Sequence, residues 1–272
     1  MLHILCALPC EGRPIIRRLG LEPREASGDF RVYTAKNIAL VISGYGKTPA
    51  AAAVGYLMGD SDSSSPAWLN VGIAGHATRA IGDVVLVHKI TDDATGNNFY
   101  PPLIFEAPCP TENLLTVDLP VGRDRPYPGD TACDMEGSAF IAAACRFSPL
   151  ELIHGLKVIS DNAEANVDHL TEELAEGLIE QHVDLVEEIA NTLLALQKDH
   201  ATRVEPHLQL DTFLEKWRFT TTQARQLEGH LRRWVTLSGQ PEVVWNDYED
   251  LSNARSVLAQ LEKTIHALPL RL

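Results

Sequence analysis

Acidic side chains that follow apolar segments are the residues of this chain best placed to do chemistry. Glu11 comes three residues after the apolar run LHILCAL (2–8), and Asp161 comes directly after LKVIS (156–160). A carboxyl group at such a position can serve as a general acid or base when partial burial adjusts its pKa. It can equally cap the helix that follows. The two acids therefore raise the question of chemistry without answering it.

A second acidic group lies in the stretch CDMEGSAF (133–140), which we predict to form the start of a small-residue helix. Asp134 and Glu136 flank Met135 there. Carboxylates near a helix N-terminus complement the helix dipole, so capping explains one of the acids. Capping gives no reason for the methionine or for the alanine-rich helix, which favours carboxylates that face a ligand. Asp134 is the ambiguous member, because it either supports Glu136 or caps the helix.

Glycine-rich segments follow two further predicted strands, as SGYGK (43–47) and NVGIAG (70–75). Ligands of α/β sheets bind beyond the carboxyl ends of strands, so these glycines and the acids predict one shared site. SGYGKT does not fit a phosphate-binding loop, because that motif requires a glycine five residues before Gly46, where Val41 stands. We interpret the segment as a turn that leads into a helix.

Other catalytic constellations do not occur in the sequence. Ser43, Ser138 and Ser160 have no histidine at the spacing of a Ser/His/Asp triad. Cys6 and Cys10 have no Cys/His pair elsewhere that would complete a zinc site. We therefore expect no metal and no cofactor. The odd number of cysteines, five, is typical of reduced thiols in the cytoplasm.

The composition is that of a globular protein with an acidic front part. No segment approaches the ~20 apolar residues of a membrane span, and the N-terminus lacks the basic region of a signal peptide. Of the 37 acidic and 23 basic side chains, residues 1–198 hold 27 and 14, so this part repels phosphate backbones. We expect a cytoplasmic protein whose partners are neither nucleic acid nor a membrane.

Apolar segments and helical patterns alternate over residues 1–198, which is typical of an α/β domain. Residues 30–44 are predicted to form a hairpin, residues 91–112 a long surface loop, and residues 168–197 one long amphipathic helix. Residues 199–272 contain three helical patterns. We interpret them as a helical appendage packed on the domain or on a second subunit, with a module that binds a partner or nucleic acid as the alternative.

Five segments occur in a defined order, namely CALPCE, ISGYGKTPAAAA, NVGIAG, CDMEGSA and VISDNAE. Together they resemble the nucleoside phosphorylase/nucleosidase superfamily, in particular its branch of methylthioadenosine/adenosylhomocysteine nucleosidases. The resemblance covers about residues 2–198, and residues 199–272 have no counterpart in it. It implies a single α/β domain whose central mixed sheet curls into a partial barrel flanked by helices. It also implies cleavage of the N-glycosidic bond of a purine nucleoside by a homo-oligomer, usually a dimer in this branch.

The resemblance implies roles for individual residues as well. Asp161 matches the acid that assists departure of the base, and Glu11 matches the acid that positions the attacking water. Glu136 matches the carboxylate that binds both ribose hydroxyls. The other residues expected to bind the substrate or to support the site are Met135, Asp134, Ser160, Ala74 and Gly75.

The nucleophile that attacks the sugar can be water or phosphate. The phosphorylase branch carries an arginine and a hydroxyl residue where this chain has Asn70 and Ile73, neither of which pairs with phosphate. The carboxylate of Glu11 would also repel phosphate, although Arg13 or Arg79 could restore an anion site. Hydrolysis is therefore the first hypothesis and phosphorolysis the second. The third is a nucleoside-binding sensor without turnover, whose tail reports occupancy to a partner.

Two departures from the superfamily pattern concern the identity of the substrate. Lys157 stands where the nucleosidases usually carry an arginine, and their base-recognition segment is replaced by TVDLPVGRDRPYPGD (116–130). Phe99, Tyr100 and Phe105 are available to stack on a base, or they anchor the surface loop. The base and the group at the 5′ position therefore stay open.

Overall fold

The structure, a computed structural model, describes residues 1–24, 28–59, 65–122, 125–165, 170–204, 209–240 and 242–268. It divides the chain into two compact units, Met1–Gln197 and Lys198–Leu272. The strands are β1 (Leu2–Cys6), β2 (Glu22–Arg24), β3 (Arg31–Ala35), β4 (Ile38–Ile42), β5 (Ala67–Gly75), β6 (Val84–Asp92), β7 (Asn98–Phe99), β8 (Thr111–Thr116), β9 (Ala132–Asp134) and β10 (Ile153–Asp161). The helices are α1 (Pro9–Leu19), α2 (Lys47–Gly59), α3 (Gly137–Ala144), α4 (Glu172–Glu180), α5 (Val183–Val204), α6 (Leu210–Lys216), α7 (Thr221–Ser238) and α8 (Ala254–His266).

Five strands of the first unit close into a barrel. Their order around the ring is β5–β10–β6–β8–β9, and β9 returns to β5 through the pair Gly75 and Cys133. β5 is parallel to β10, whereas β10 is antiparallel to β6 and β9 is antiparallel to β5. β6, β8 and β9 are parallel to one another. The predicted α/β fold with a central mixed sheet is confirmed, and the curl of the sheet closes into a complete ring.

The sheet continues beyond the barrel through β1. This strand lies between β5 and β4 and is parallel to both, and β3 and β2 follow as antiparallel neighbours. All five residues of β1 are buried, which explains its unbroken apolar run because a central parallel strand is covered on both faces. The predicted hairpin is confirmed as β3 and β4. From β1 the chain enters α1, which carries Glu11 in its first turn.

The stretch CDMEGSAF is not helical throughout, contrary to the prediction. Its first residues belong to β9, which pairs with β8, and α3 begins at Gly137 with Glu136 as the N-cap residue. The backbone groups of β9 are used for pairing with β8, so they are not available to a helix. As a consequence, Asp134 and Glu136 lie at a strand-to-helix turn at one end of the barrel.

The single helix predicted over residues 168–197 is wrong. Asp168 lies outside the described residues, and the described part forms α4 and α5, which are separated by Gln181 and His182. The ring nitrogen Nε2 of His182 donates to the carbonyl of Gly82 at 2.8 Å. Apolar side chains of both helices pack into the same core. The break lets both helices follow the curved sheet, and the apolar spacing could not reveal it because the spacing continues across the break.

The surface loop predicted over residues 91–112 is shorter than expected. β6 extends to Asp92, β8 begins at Thr111, and β7 pairs with β6 inside this interval. The part of the segment that forms a continuous loop is residues 100–110, which contain its four prolines.

The second unit has an apolar core of its own. The three predicted helices are present as α6, α7 and α8, and the side chains of Thr220 and Asn253 cap the last two. Within the described ranges, no helix is both long and apolar enough to cross a membrane. Aromatic side chains contribute much of this core, among them Phe213, Trp217, Trp234 and Tyr248.

Leu69 on β5 tests the packing of the first unit. This residue is fully buried in the apolar core, whereas Leu119 is 76% exposed. Leu69→Ala should lower the free energy of unfolding of the unit by about 2–5 kcal/mol, because it removes buried contacts and leaves a cavity. Leu119→Ala is the matched control and should change stability by less than about 0.5 kcal/mol. Hydrogen exchange of the β5 amides measures both variants, and equal effects would contradict the packing described.

Candidate active site

A cavity of about 200 Å³ opens where β1, β5, β9 and β10 end. The eight residues that the sequence predicts for the site all line this cavity, namely Glu11, Ala74, Gly75, Asp134, Met135, Glu136, Ser160 and Asp161. The rest of the described lining is mostly apolar and consists of Ala7, Leu8, Tyr45, Ile73, Val117, Pro120, Val121, Cys133 and Leu170. The structure thus brings every predicted site residue to one place, while the roles assigned to them stay predictions.

Glu11 is buried, and backbone donors hold its carboxylate. Its Oε2 accepts a hydrogen bond from the N–H of Leu8 at 2.8 Å, and its Oε1 accepts one from the N–H of Ile73 at 2.9 Å. A Cβ at Gly72 would lie 2.8 Å from Oε1, so this close approach requires glycine. Burial raises the pKa of Glu11 above its ordinary value, and the backbone donors counteract this only in part. Glu11 is thus a fixed carboxyl group of the kind that can take a proton from water.

Asp161 ends β10 and receives a hydrogen bond on each carboxylate oxygen. Ser160 Oγ donates to Oδ1 and the hydroxyl of Tyr127 donates to Oδ2, both at 2.5 Å. The backbone carbonyl of Asp161 accepts from the N–H of His76 at 3.0 Å. A Cβ at Gly75 would lie 2.7 Å from Oδ2, so glycine is required here as well. The carboxylate is therefore fixed from both sides.

Glu136 is bound to the SGYGK turn. Its Oε1 accepts from the N–H of Gly46 at 2.6 Å, and its Oε2 accepts from the N–H of Met135 at 3.3 Å. Gly46 has a φ of 99°, a conformation that favours glycine, so the turn can offer this donor only with glycine at the position. Burial, followed by repulsion from Asp134, raises the pKa of Glu136 to about 7. Near neutral pH the group can therefore accept hydrogen bonds and, when protonated, donate one.

Asp134 forms a buried ion pair with Lys157, whose Nζ lies 2.8 Å from Oδ2. Its Oδ1 accepts from Thr116 Oγ1 at 2.7 Å, and its Oδ2 also accepts from the N–H of Gly137 at 2.8 Å. Burial acts to lower the pKa of the Lys157 ammonium, but the carboxylates of Asp134 and Glu136 outweigh it and leave that pKa above its ordinary value. Asp134 thus both caps α3 and binds the cation beneath the site.

Two tyrosines at the site, Tyr127 and Tyr45, were not predicted from the sequence. Tyr127 reaches Asp161 from the segment between β8 and β9, where the resemblance to the nucleosidases breaks down. Its signal in the sequence is a single aromatic residue flanked by two prolines. Tyr45 lines the cavity and is 70% exposed. It lies between two glycines with positive φ, a conformation that places it at the surface of the turn.

Cationic side chains that could hold an anion are engaged elsewhere. Arg13 and Arg79 bind acidic side chains at 2.6 and 2.8 Å, and Lys47 bridges two aspartates at 2.8 and 2.9 Å. Among the described residues that line the cavity there is no arginine, lysine or histidine. Nor does the described part of the chain contain three or more His, Cys, Asp or Glu side chains grouped so that they could hold a metal ion.

The aromatic residues between β6 and β8 do not line the cavity. Phe99 packs against an apolar core, and Phe105 contacts His154 edge to face with ring centroids 5.1 Å apart. Tyr100 is exposed. Of the two interpretations offered by the sequence, the structure supports anchoring of the segment over stacking on a base.

Comparisons with known proteins give matches among solved structures. No protein-family model matches the chain, and no curated protein matches it. The chain is similar to the 5′-methylthioadenosine nucleosidase of Arabidopsis thaliana, with a TM-score of 0.55 and 18% identity over 72% of this chain and 95% of that one. For the MTA/SAH nucleosidase of Streptococcus pneumoniae in complex with 8-aminoadenine, the TM-score is 0.53 and the identity is 23% over 71% of this chain and 98% of that one. For the nucleosidase of Neisseria meningitidis in complex with methylthio-immucillin-A, the TM-score is 0.55 and the identity is 17% over 69% of this chain and 98% of that one.

These likenesses concern the fold. The chain has the fold of the MTA/SAH nucleosidases, and each of the three relatives is matched over nearly its whole length. The resemblance inferred from the five sequence segments is therefore confirmed at the level of the fold. Identities below 25% do not carry the roles of individual residues.

Lys157→Met tests the ion pair with Asp134. The variant leaves a buried carboxylate without its cation, so the free energy of unfolding should fall by about 3–5 kcal/mol. Lys157→Met combined with Asp134→Asn should be less destabilised than the single variant, because the unpaired charge is then removed. Lys36→Met at the exposed hairpin turn is the matched control and should stay near the wild-type value. Hydrogen exchange of the barrel amides measures all three, and a single variant as stable as the control would contradict the pairing.

Glu136 should make the stability of the first unit depend on pH. Its pKa is higher in the folded protein than in the unfolded chain, so its contribution is fully present below the unfolded pKa and is lost as the pH rises through about 7. Between pH 4.5 and 8 the wild type should therefore lose stability relative to Glu136→Gln. Thermal unfolding of both proteins across this range measures the difference. A wild type and a variant with parallel pH profiles would show that the group is not perturbed.

Proposed function

We propose that the first unit hydrolyses the N-glycosidic bond of a purine nucleoside or of a nucleoside modified at its 5′ position. The observation that carries the proposal is the convergence of three buried carboxyl groups, those of Asp161, Glu136 and Glu11, on one cavity. Cleavage at C1′ builds positive charge on the sugar and negative charge on the base. The relatives solved with 8-aminoadenine and with methylthio-immucillin-A support a purine-like ligand for this fold.

Each carboxyl group has a separate task in this reaction. Asp161 gives a proton to N7 of the purine as the bond between C1′ and N9 breaks, which stabilises the departing base. Glu136 binds the ribose hydroxyls, and Met135 covers the face of the sugar. Glu11, held by two backbone N–H groups, takes a proton from the water whose oxygen bonds to C1′. The sugar thus lies between Asp161, the general acid beside the purine, and Glu11, the general base beside the water.

Water fits the site better than phosphate does. Phosphate requires cations and hydrogen-bond donors. The described lining holds no cation, and beside the carboxylates and apolar side chains its polar side chains are those of Ser160, Tyr45 and Cys133. Ser160 already donates to Asp161. Asn70 uses its amide to donate to the carbonyl of Leu5 at 3.2 Å, and Ile73 offers its N–H to Glu11. Lys157 lies near the carboxylates but is paired with Asp134. These contacts favour hydrolysis over phosphorolysis.

An assay of base release tests the proposed reaction. The purified protein is incubated with a panel of purine nucleosides, with and without phosphate, and the free base is followed by chromatography. We expect release without phosphate and no increase when phosphate is added. Release that strictly requires phosphate would establish phosphorolysis instead. Binding of a nucleoside without any release would establish a sensor.

Asp161→Asn tests the role of the acid. The amide cannot give up a proton in the same way, so turnover should fall by about 10²–10⁴-fold while nucleoside binding, measured by calorimetry, stays largely intact. Asp184→Asn is the matched control, since Asp184 is an exposed residue that pairs with Arg18 at the surface. Equal turnover of Asp161→Asn and wild type would remove Asp161 from the mechanism.

A further inference from the structure

Tyr127 makes a contact with Asp161 that the proposed roles do not yet use. Its hydroxyl donates to Oδ2 of the carboxylate at 2.5 Å, while Ser160 Oγ donates to Oδ1 at the same distance. Ser160 is the neighbour of Asp161 in the chain, whereas Tyr127 comes from a distant segment between β8 and β9. Both oxygens of the Asp161 side chain therefore accept a hydroxyl donor, and a hydrogen bond of this kind becomes stronger when its acceptor gains negative charge.

The side chain of Tyr127 fits against two glycines, at positions where any larger residue would clash with it. A Cβ at Gly122 would lie 2.5 Å from the hydroxyl oxygen, and a Cβ at Gly75 would lie 2.8 Å from the ring carbon Cε1. Gly122 has a φ of 91°, so the backbone at this point also favours glycine. On the same segment, Arg125 binds both carboxylate oxygens of Asp93 at 2.7 and 2.8 Å. The segment is therefore built to bring this hydroxyl to Asp161.

Of the other ionisable groups near Asp161, three are neutral and the fourth, Lys157, is charged but paired with another carboxylate. His76, after β5, accepts two backbone N–H groups on Nδ1, and burial lowers its pKa, so its ring is neutral. Cys133, on β9, is a neutral thiol because burial raises its pKa to about 12. Burial, and then the hydrogen bond to Asp161, raise the pKa of Tyr127, so it remains a donor at neutral pH. Lys157, on the same strand as Asp161, is paired with Asp134.

On the basis of the proposed hydrolysis, we propose that Tyr127 is a positioning residue that stabilises the carboxylate left on Asp161 when its proton passes to the departing base. In this step the C1′–N9 bond breaks and its electron pair moves into the purine, while the proton of Asp161 moves to N7. The oxygen of water bonds to C1′, and the proton of water moves to Glu11, from which solvent returns it to Asp161. The charge on Asp161 grows during the step, so the hydrogen bond from Tyr127 is stronger in the transition state than in the substrate complex.

Tyr127→Phe tests this positioning role. The variant removes one donor to a charged group, so kcat should fall about 10- to 100-fold while KM changes little. Loss of the donor also makes Asp161 hold its proton more tightly, so the alkaline limb of the pH profile of kcat should move up by about one pH unit. Tyr100→Phe is the matched control, since Tyr100 is exposed and does not line the cavity. A variant with the wild-type kcat and pH profile would overturn the proposal.

Gly122→Ala provides a second variant that keeps the tyrosine. The added Cβ would lie 2.5 Å from the hydroxyl oxygen, so the hydroxyl has to shift and its contact with Asp161 is disturbed. The alkaline limb should therefore move in the same direction as in Tyr127→Phe. If the alkaline limb of the pH profile of kcat stays at its wild-type position in both Tyr127→Phe and Gly122→Ala, the contact only supports the fold.

A titration of the unliganded protein separates this proposal from the proposed reaction. The carboxyl carbon of Asp161 is followed by ¹³C NMR, with Asp161→Asn to identify the signal, and its midpoint should lie at higher pH in Tyr127→Phe than in wild type. If wild type cleaves no nucleoside, the hydrolase assignment fails and this titration still decides whether Tyr127 controls Asp161. If wild type cleaves nucleosides and the midpoint does not move, the role of Tyr127 is overturned alone.

Discussion

One buried cation, the ammonium of Lys157, offsets the charge of the carboxyl groups that meet at the cavity. It contacts Asp134 directly and lies in the field of Glu136 and Glu11. Buried carboxylates without a compensating charge would take up protons or force the cavity open. Its register partner on β5 is Gly72, where a Cβ would lie 3.5 Å from Nζ of Lys157 and only 2.8 Å from Oε1 of Glu11, so the glycine brings the two charged groups to the same place. The closed barrel therefore sets the position of the charge on which the site depends.

The carboxyl groups of the cavity differ in environment, and the proposed division of tasks rests on that difference. Asp134 takes the ion pair and the cap of α3, so it is a support. Glu11 is fixed by backbone donors, and Glu136 has a pKa of about 7 because burial and Asp134 both oppose its charge. Asp161 receives hydroxyl donors instead. Carboxyl groups in contrasting environments are what acid and base catalysis at one pH requires.

Much of the fold and the site could be predicted because the information was local. Apolar runs mark buried strands, and the acids and glycines that end them meet at one edge of the sheet. Asp161 and Gly75 could therefore be predicted as site residues. Contacts between distant segments could not be found in this way. Tyr127 meets Asp161 across 34 positions, and nothing in the local pattern indicates that pairing. At the break before α5, His182 contacts Gly82, 100 positions away, while the apolar spacing passes through the break unchanged.

The most direct test of the account is a crystal structure of the protein with a purine nucleoside analogue that cannot be cleaved, grown in the presence of phosphate. The account predicts the base hydrogen-bonded to Asp161, the sugar hydroxyls on Glu136, and a water molecule on Glu11. A sugar bound away from Glu136, or a phosphate in the place of that water, would contradict it.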